Sequence, residues 1–389
     1  MTLEVHRMLD AIEQAADAMV LERQEYGRLA GEALTRLHTY GDDLDMLQEK
    51  AQVAADKLGG LWRGAVPLGE PIASAIDPPV PPAPIGTVVA ADGSQIFPDR
   101  HGIANYALIH IGAIAIRPTS NEPPETLTFA ELLYGDRLHD DESAETLQAA
   151  DISRLRDKEE LGRLVQVSIQ MFPPVVALMD SPLLLFALSA TGERELPDWF
   201  LGALNRALES DIRLAGYVDR PGSRGVADLL ALATIPREQI GADKSAMRFF
   251  QEMPDRTVFR RILGPGQRSA LFSSASPFNR LLARCGDQLQ IGFFYLNVGS
   301  ADNPVMARVE APWWVLQDRL RREQLHAAVW EQCQAPGGYP YVLARAHEIA
   351  VVHMEQRRQL EDILAGAMLV RGLEPQQSAK SFLKSLTGG

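Results

Sequence analysis

Apolar residues in the first sixty positions recur at three- and four-residue steps. Leu3, Met8, Leu9, Ile12, Ala16, Met19 and Val20 follow this spacing without a proline, which predicts amphipathic helix. A break near Tyr40-Gly41-Asp42 turns the segment into a helical hairpin, a packing or dimerisation arm. AIDPPVPPAPIG (75–86) then carries too many prolines for helix or interior strand and predicts an extended connector. From Thr87 the pattern is that of strands: TVVAAD ends on Asp92 before a turn at Gly93-Ser94, and GIANYALIHIGAIAI (102–116) and TLTFAELL (126–133) follow. Residues 151–171 predict a helix capped by Asp151, and Val175–Met179 a buried strand ending on Asp180. Beyond it the spacing predicts a helix at 197–212, a strand at 214–219 and helices at 223–233 and 243–253. A late strand pair (291–300 and 307–316) and two terminal helices near 316–332 and 346–370 complete the chain.

Strands in succession, then strands alternating with helices, indicate an α/β fold with a mixed sheet. Three strands before the first core helix suit a ribonuclease H-like sheet flanked by helices, preceded by the N-terminal helical arm. The boundaries expected are 1–74 for the arm, 75–86 for the linker, 87–372 for the core domain and 373–389 for a tail. No GxGxxG follows the first core strand and no Walker lysine loop occurs, which removes the commonest nucleotide folds.

Net charge is −13. That lowers the expectation of a surface coated in nucleic acid, yet leaves room for a groove lined locally by Arg and Lys. Cys285 and Cys333 have no metal-binding spacing, and a reducing cytoplasm is the simplest setting. No apolar run approaches the length of a membrane span, so no membrane association is expected.

Candidate chemistry gathers where strands end. Asp92 and Asp180 each follow a run apolar enough to be buried on both faces, and each leaves the sheet at the edge where α/β proteins place ligands. One such aspartate serves as a turn former. Two on neighbouring strands repel unless a cation compensates, and magnesium or manganese does so through carboxylate oxygens. The intervening helix offers Glu159 and Glu160, about 100° apart on its surface. Glu160 continues the apolar face of Leu164, Val167 and Met171, whereas Glu159 stands four residues before Arg163 as a solvated partner. Near the C-terminus GGYPYVLARAH brings Tyr339 and His347 eight residues apart, with His347 opening an apolar helix that holds Ala350, Val351 and Met354.

In order, these pieces resemble the NurA nucleases over roughly residues 87–370: the DGS of Asp92, Arg156-x-x-x-Glu160, MDSPL with Asp180, GYVDRP, RVEAP and GGYPYVLARAH. The resemblance implies a ribonuclease H-like core in a DNA-end nuclease, a 5′–3′ exonuclease and/or endonuclease using manganese or magnesium, with two ions per site. It further implies a homodimer that threads DNA, and a HerA-type hexameric ATPase as partner. Carried over by motif position, Asp92, Glu160, Asp180 and His347 become metal ligands, and Tyr339 and His347 complete the catalytic set. Arg156 and Arg220 become candidate DNA contacts. Two positions depart from the family pattern: Ser181 replaces the glycine after the second aspartate, and Asp219 stands where a basic residue is common.

Two other readings follow from the same residues. ADGS echoes the first phosphate loop of the actin-like and sugar-kinase ATPases, but the second Gly-rich loop those proteins need is missing from the sequence. A non-catalytic scaffold for DNA or a partner would use the arm and linker for assembly and leave the aspartates as turn formers. The locally basic SAKSFLKSLTGG tail suits either a DNA or an ATPase contact.

Overall fold

A computed structural model describes residues 8–80, 83–99, 102–138, 147–184, 196–251, 253–334 and 337–374. The tail SAKSFLKSLTGG lies outside the described residues. The chain divides into two compact units, one of residues 1–81 and 217–326, the other of 82–216 and 327–389. In chain order the elements begin with α1 (Leu9–Tyr40), α2 (Leu44–Leu58), β1 (Ala65–Pro67) and β2 (Ala75–Ile76). The strands β3 (Thr87–Ile96), β4 (Tyr106–Ile116) and β5 (Glu125–Tyr134) precede α3 (Ala149–Ile169), β6 (Val175–Met179), α4 (Asp198–Glu209) and β7 (Arg213–Asp219). Then come α5 (Gly225–Ala233), β8 (Arg268–Ser269), β9 (Phe272–Ser274), α6 (Pro277–Cys285), β10 (Ile291–Asn297) and β11 (Met306–Pro312). The helices α7 (Arg319–Gln332), α8 (Tyr341–Ala350) and α9 (Met354–Val370) close the described chain.

In the first unit the predicted hairpin packs into a core. Leu29, Ala33 and Leu37 of α1 and Leu47, Ala51 and Ala54 of α2 are buried with Val226, Ala227 and the stretch 229–233 of α5, Phe250 and Phe259. Asp43 makes the second helix possible by capping it, accepting from the Met46 N–H at 3.1 Å. Residues 8–25 of the arm are exposed throughout. The antiparallel strands β1, β9, β10 and β11 form this unit's sheet. Ala75-Ile76, inside the expected linker, pairs with Ser269 and Arg268 of β8.

The second unit holds a five-stranded sheet in the order β7-β6-β3-β4-β5. The first three core strands pair antiparallel, and β6 and β7 then add parallel to β3 on its other side. Helix α3 packs on β3, β4 and β6, and α8 on β3 and β4. Gly112 in β4 permits the second of these packings, since a Cβ there would stand 2.5 Å from the Ala350 backbone N.

Several boundaries differ from those the sequence predicts. Strand β3 does not stop at Asp92 but continues to Ile96, because β4 goes on pairing with it (Asp92↔Gly112, Ser94↔His110). Helix α3 starts at Ala149, so Asp151 is not its N-cap. Instead Asp151 accepts from the Gln148 N–H at 2.8 Å in a capping box. The stretch 346–370 is two helices separated by Val351-Val352-His353, and His347 lies in the last turn of α8 rather than opening a helix. Of the helix expected at 243–253, among the described residues only Lys244–Met247 is helical, capped by Asp243.

Adding a Cβ to two glycines of this unit should have opposite effects. Gly112→Ala drives α8 off the sheet and should cost about 1–3 kcal/mol. Gly162→Ala, inside α3 with nothing within 4 Å, should stabilise by roughly 0.5–1 kcal/mol. Urea midpoints for the two variants check both signs.

Candidate functional site

The parallel register of β3 and β6 brings the two predicted aspartates together. The last pairs are Ala90↔Leu178 and Ala91↔Met179; the next residues on the two strands are Asp92 and Asp180. Neighbouring strands run about 4.8 Å apart, so both carboxylates flank the point where β6 ends while β3 continues against β4. The chain leaving β6 crosses β7 at Gly216, where a Cβ would lie 2.3 Å from the Ser181 carbonyl oxygen. Ser181 occupies the glycine position of the family pattern, and its buried Oγ has no hydrogen-bond partner among the described residues.

Strand alternation sorts the neighbours of Asp92 onto two faces. Positions 92 and 94, with their β4 partners Gly112 and His110, face the C-terminal end of α8. Ser94 Oγ donates to the Ala350 carbonyl at 2.5 Å, and His110 Nδ1 donates to the same oxygen at 2.8 Å. Two donors on one terminal carbonyl pin the helix end. With that end held, Asp92 Oδ2 accepts from His347 Nδ1 at 2.7 Å while Oδ1 accepts from the Gly93 N–H at 2.8 Å. The proton on Nδ1 leaves Nε2 of His347 as the nitrogen available to a ligand or a proton. The anchoring roles of Ser94 and His110 do not emerge from sequence reasoning. His110 carries a signal there as the one polar side chain in ALIHIG; Ser94 reads only as a turn residue.

Positions 93 and 95 face α3. A Cβ on Gly93 would stand 2.8 Å from Arg156 Cγ, so glycine makes room for that side chain. Arg156 Nη1 reaches Gln95 Oε1 at 3.4 Å, and its other nitrogens pair with Asp157. One turn further along α3, Glu160 is only 6% exposed beside buried Leu161 and Leu164. Glu159 instead pairs with Arg163 at 3.2 Å. Burial pushes the Glu160 carboxyl up to about 8; the Asp92 carboxylate adds to that, Arg156 opposes it, and Asp157 and Asp180 raise it further. Asp92 and Asp180 thus both act on Glu160.

Tyr339 and Arg220 fall elsewhere. Tyr339 is half-buried and enters α8 from its N-terminal side, after Gly337 and Gly338 at φ 108° and 67°. His347 sits in the last turn, so the helix separates the two by about 9 Å or more along its axis. Arg220 belongs to the first unit. It adopts φ 45°, is exposed, and lies 3.9 Å from Asp219.

Among the described residues, no three His, Cys, Asp or Glu side chains are gathered closely enough to hold a metal ion as they stand. The donor chemistry itself suits magnesium or manganese. Two aspartates lie past the last β3–β6 pair and both act on the buried Glu160 carboxyl, which is forced toward its neutral form, and an orphaned hydroxyl lies beside Asp180.

Because the fold raises the Glu160 pKa, the folded chain keeps a proton that the unfolded chain loses. This contribution to stability is fully present below the unfolded value of about 4.3 and is lost as pH rises through about 8. With a chelator present, the native chain should lose on the order of a few kcal/mol between pH 5 and pH 9 relative to Glu160→Gln. Urea titrations across that range check it; parallel pH curves for the two proteins would contradict the shift.

The NurA domain family matches residues 86–352. The chain is similar to the crystal structure of the NurA nuclease from Sulfolobus solfataricus, with 14% identity over 93% of this chain and 98% of that one, at a TM-score of 0.45. It is also similar to the catalytic domain of human Endonuclease V, with 13% identity over 90% and 98%, at a TM-score of 0.31. Both scores are low, and the family assignment rests on the domain match alone. No curated protein matches the chain. The match of the NurA domain over most of its length places the chain in the NurA family of nucleases.

Proposed function

We propose that this protein is a metal-dependent deoxyribonuclease, built on a ribonuclease H-like core and hydrolysing phosphodiesters at DNA ends, as a 5′–3′ exonuclease and/or endonuclease. One observation carries the reading: Asp92 and Asp180 stand side by side past the last β3–β6 pair, with the buried Glu160 carboxyl subject to both. The strand order of the second unit, 3-2-1-4-5 when its strands are numbered along the chain, supports the core type. Asp92, Glu160 and Asp180 would hold magnesium or manganese, two ions per site, and His347 Nε2 would serve either as a further ligand or as a proton acceptor. Bound there, the ions supply charge compensation for the phosphodiester and a lowered pKa for water.

The chain's own groups do the rest. Asp92 fixes the His347 ring through Nδ1, so that Nε2 can take a proton from the attacking water if it is not itself a ligand. Ser94 and His110 hold the helix end that carries this ring. Arg156, paired with Asp157, steadies the α3 face beside Gly93 and offers a cation to a phosphate. Tyr339 stacks on a base, and Arg220 offers a cation to a phosphate. A homodimer and a HerA-type hexameric ATPase complete the proposed assembly.

The scaffold reading draws on one observation, the lack of a closed three-ligand group among the described residues. The two readings separate on end-labelled DNA with manganese or magnesium. The nuclease reading expects cleavage that a chelator abolishes. Asp92→Ala should lower it by on the order of 10³-fold or more, with circular dichroism and urea midpoint preserved. Glu159→Ala, which removes only a surface pair, should stay close to full activity. Undigested DNA under every metal condition would leave the scaffold.

A further inference from the structure

Two of the motifs in the sequence, GYVDRP and RVEAP, supply no carboxylate or histidine to the strand-end site; the first touches it only through Gly216. They lead into the first unit, where Arg308 of RVEAP and Ser223, just past GYVDRP, line a cavity of about 320 Å³ with Arg63, Arg224 and Asp228. Leu61, Arg224 and Asp228 also line a second cavity of about 300 Å³, which adds Trp62, Lys244 and Arg248. The two cavities therefore form one double cleft around a shared wall. Five cations line it, Arg63, Arg224, Lys244, Arg248 and Arg308, against the single carboxylate of Asp228. That local excess stands in a chain of net charge −13.

Internal pairing accounts for only part of these cations. Arg308 lies over the Phe293 ring at 3.6 Å, with Nη2 2.6 Å from Glu310 and Nη1 on Ser223 at 3.3 Å. Its buried Nε has no partner among the described residues. Arg224 lies 3.6 Å from Asp228 and donates to the Gln251 carbonyl. Arg63 donates to the Gly60 carbonyl at 3.3 Å. Lys244 and Arg248 are exposed. Asp243, next to Lys244, is engaged in capping the Ala246 N–H at 2.9 Å. The N-terminus of α5 adds nothing to the cleft, because Asp255 already accepts from the Val226 and Ala227 N–H groups at 3.1 and 2.8 Å.

We propose that this double cleft binds the phosphodiester backbone of a nucleic-acid strand, through Arg224, Lys244 and Arg248 at its open rim and Arg308 at its floor. Exposed Leu61 (92%) supplies apolar surface for a sugar or base beside those charges. A cationic cleft in a chain of net negative charge attracts a polyanion locally and so helps select its path. The choice of nucleic acid as the polyanion rests on the nuclease reading; the local charge excess does not.

Anisotropy of a labelled single-stranded DNA, measured on the full chain in chelator so that no cleavage runs, tests this. Lys244→Ala/Arg248→Ala should weaken binding and flatten the plot of log K against log salt. The expected change in slope is about 0.7 for each phosphate left unneutralised, near 1.4 for the pair. Arg260→Ala/Arg284→Ala, which removes the same charge from exposed positions of the same unit outside the cleft, should leave the slope unchanged. Equal flattening by both pairs, or none by the first, overturns the assignment. Inorganic phosphate and a mononucleotide form separate arms. If either stabilises the native chain against heat, the first pair removes that stabilisation and the DNA slope stays unchanged, the cleft takes free phosphate compounds rather than a strand. Binding is read in chelator and digestion with metal, so a failed digestion by the native chain would count against the nuclease reading and leave the cleft to be judged on binding.

Discussion

The arrangement of the second unit depends on where one parallel ladder stops. β6 pairs with β3 only to Ala91↔Met179, and the two residues beyond are both aspartates. Side by side at the rim of a sheet, two carboxylates repel each other and raise the pKa of any acid buried nearby. Glu160 is that acid: its burial raises it most, and Asp92 adds to the rise. A sheet that had simply continued would have buried the aspartates or turned them apart. β3 continues alone because β4 keeps it extended, which makes Asp92 part of a rigid strand instead of a flexible turn.

Around that strand the pleat divides the work. One face meets α3, where Gly93 clears space for Arg156 and Glu160 is buried a turn away. The other meets the end of α8, where Ser94, His110 and the bare Cα of Gly112 let a helix terminus come close enough for His347 to reach Asp92. Neither side has meaning without the other, since Asp92 links the histidine on one face to the buried glutamate on the other. The cations of the first unit follow a different logic, placed around a cleft instead of at a strand end.

Much of the site is legible in the residue pattern. Apolar runs ending in aspartate stand out because two of them on neighbouring strands bring like charges together, which turn forming alone does not require. Helical spacing separates Glu160 from Glu159, and the fold sets them apart in the same way, Glu160 buried and Glu159 paired with Arg163. The misplaced boundaries share one cause, local propensity overruled by distant partners. Asp-Gly-Ser has turn propensity, and only its pairing with β4 overrides it. His347 resembles a helix start because the apolar residues after it keep helical spacing through Val351-Val352, where the chain in fact becomes extended. The helix expected over 243–253 ends early, at Met247.

Local sequence, then, determined most of the element types, the acids that follow the apolar runs and the separation of the two glutamates. All of these follow from periodicity and burial, which act over a few residues. Tertiary structure alone decided that Asp92 and Asp180 are register neighbours, that Ser94 and His110 share one carbonyl, and that the 1–81 and 217–326 segments make a single unit. Such facts depend on which strands pair and where each ladder ends, and long-range pairing leaves no periodic trace in the chain.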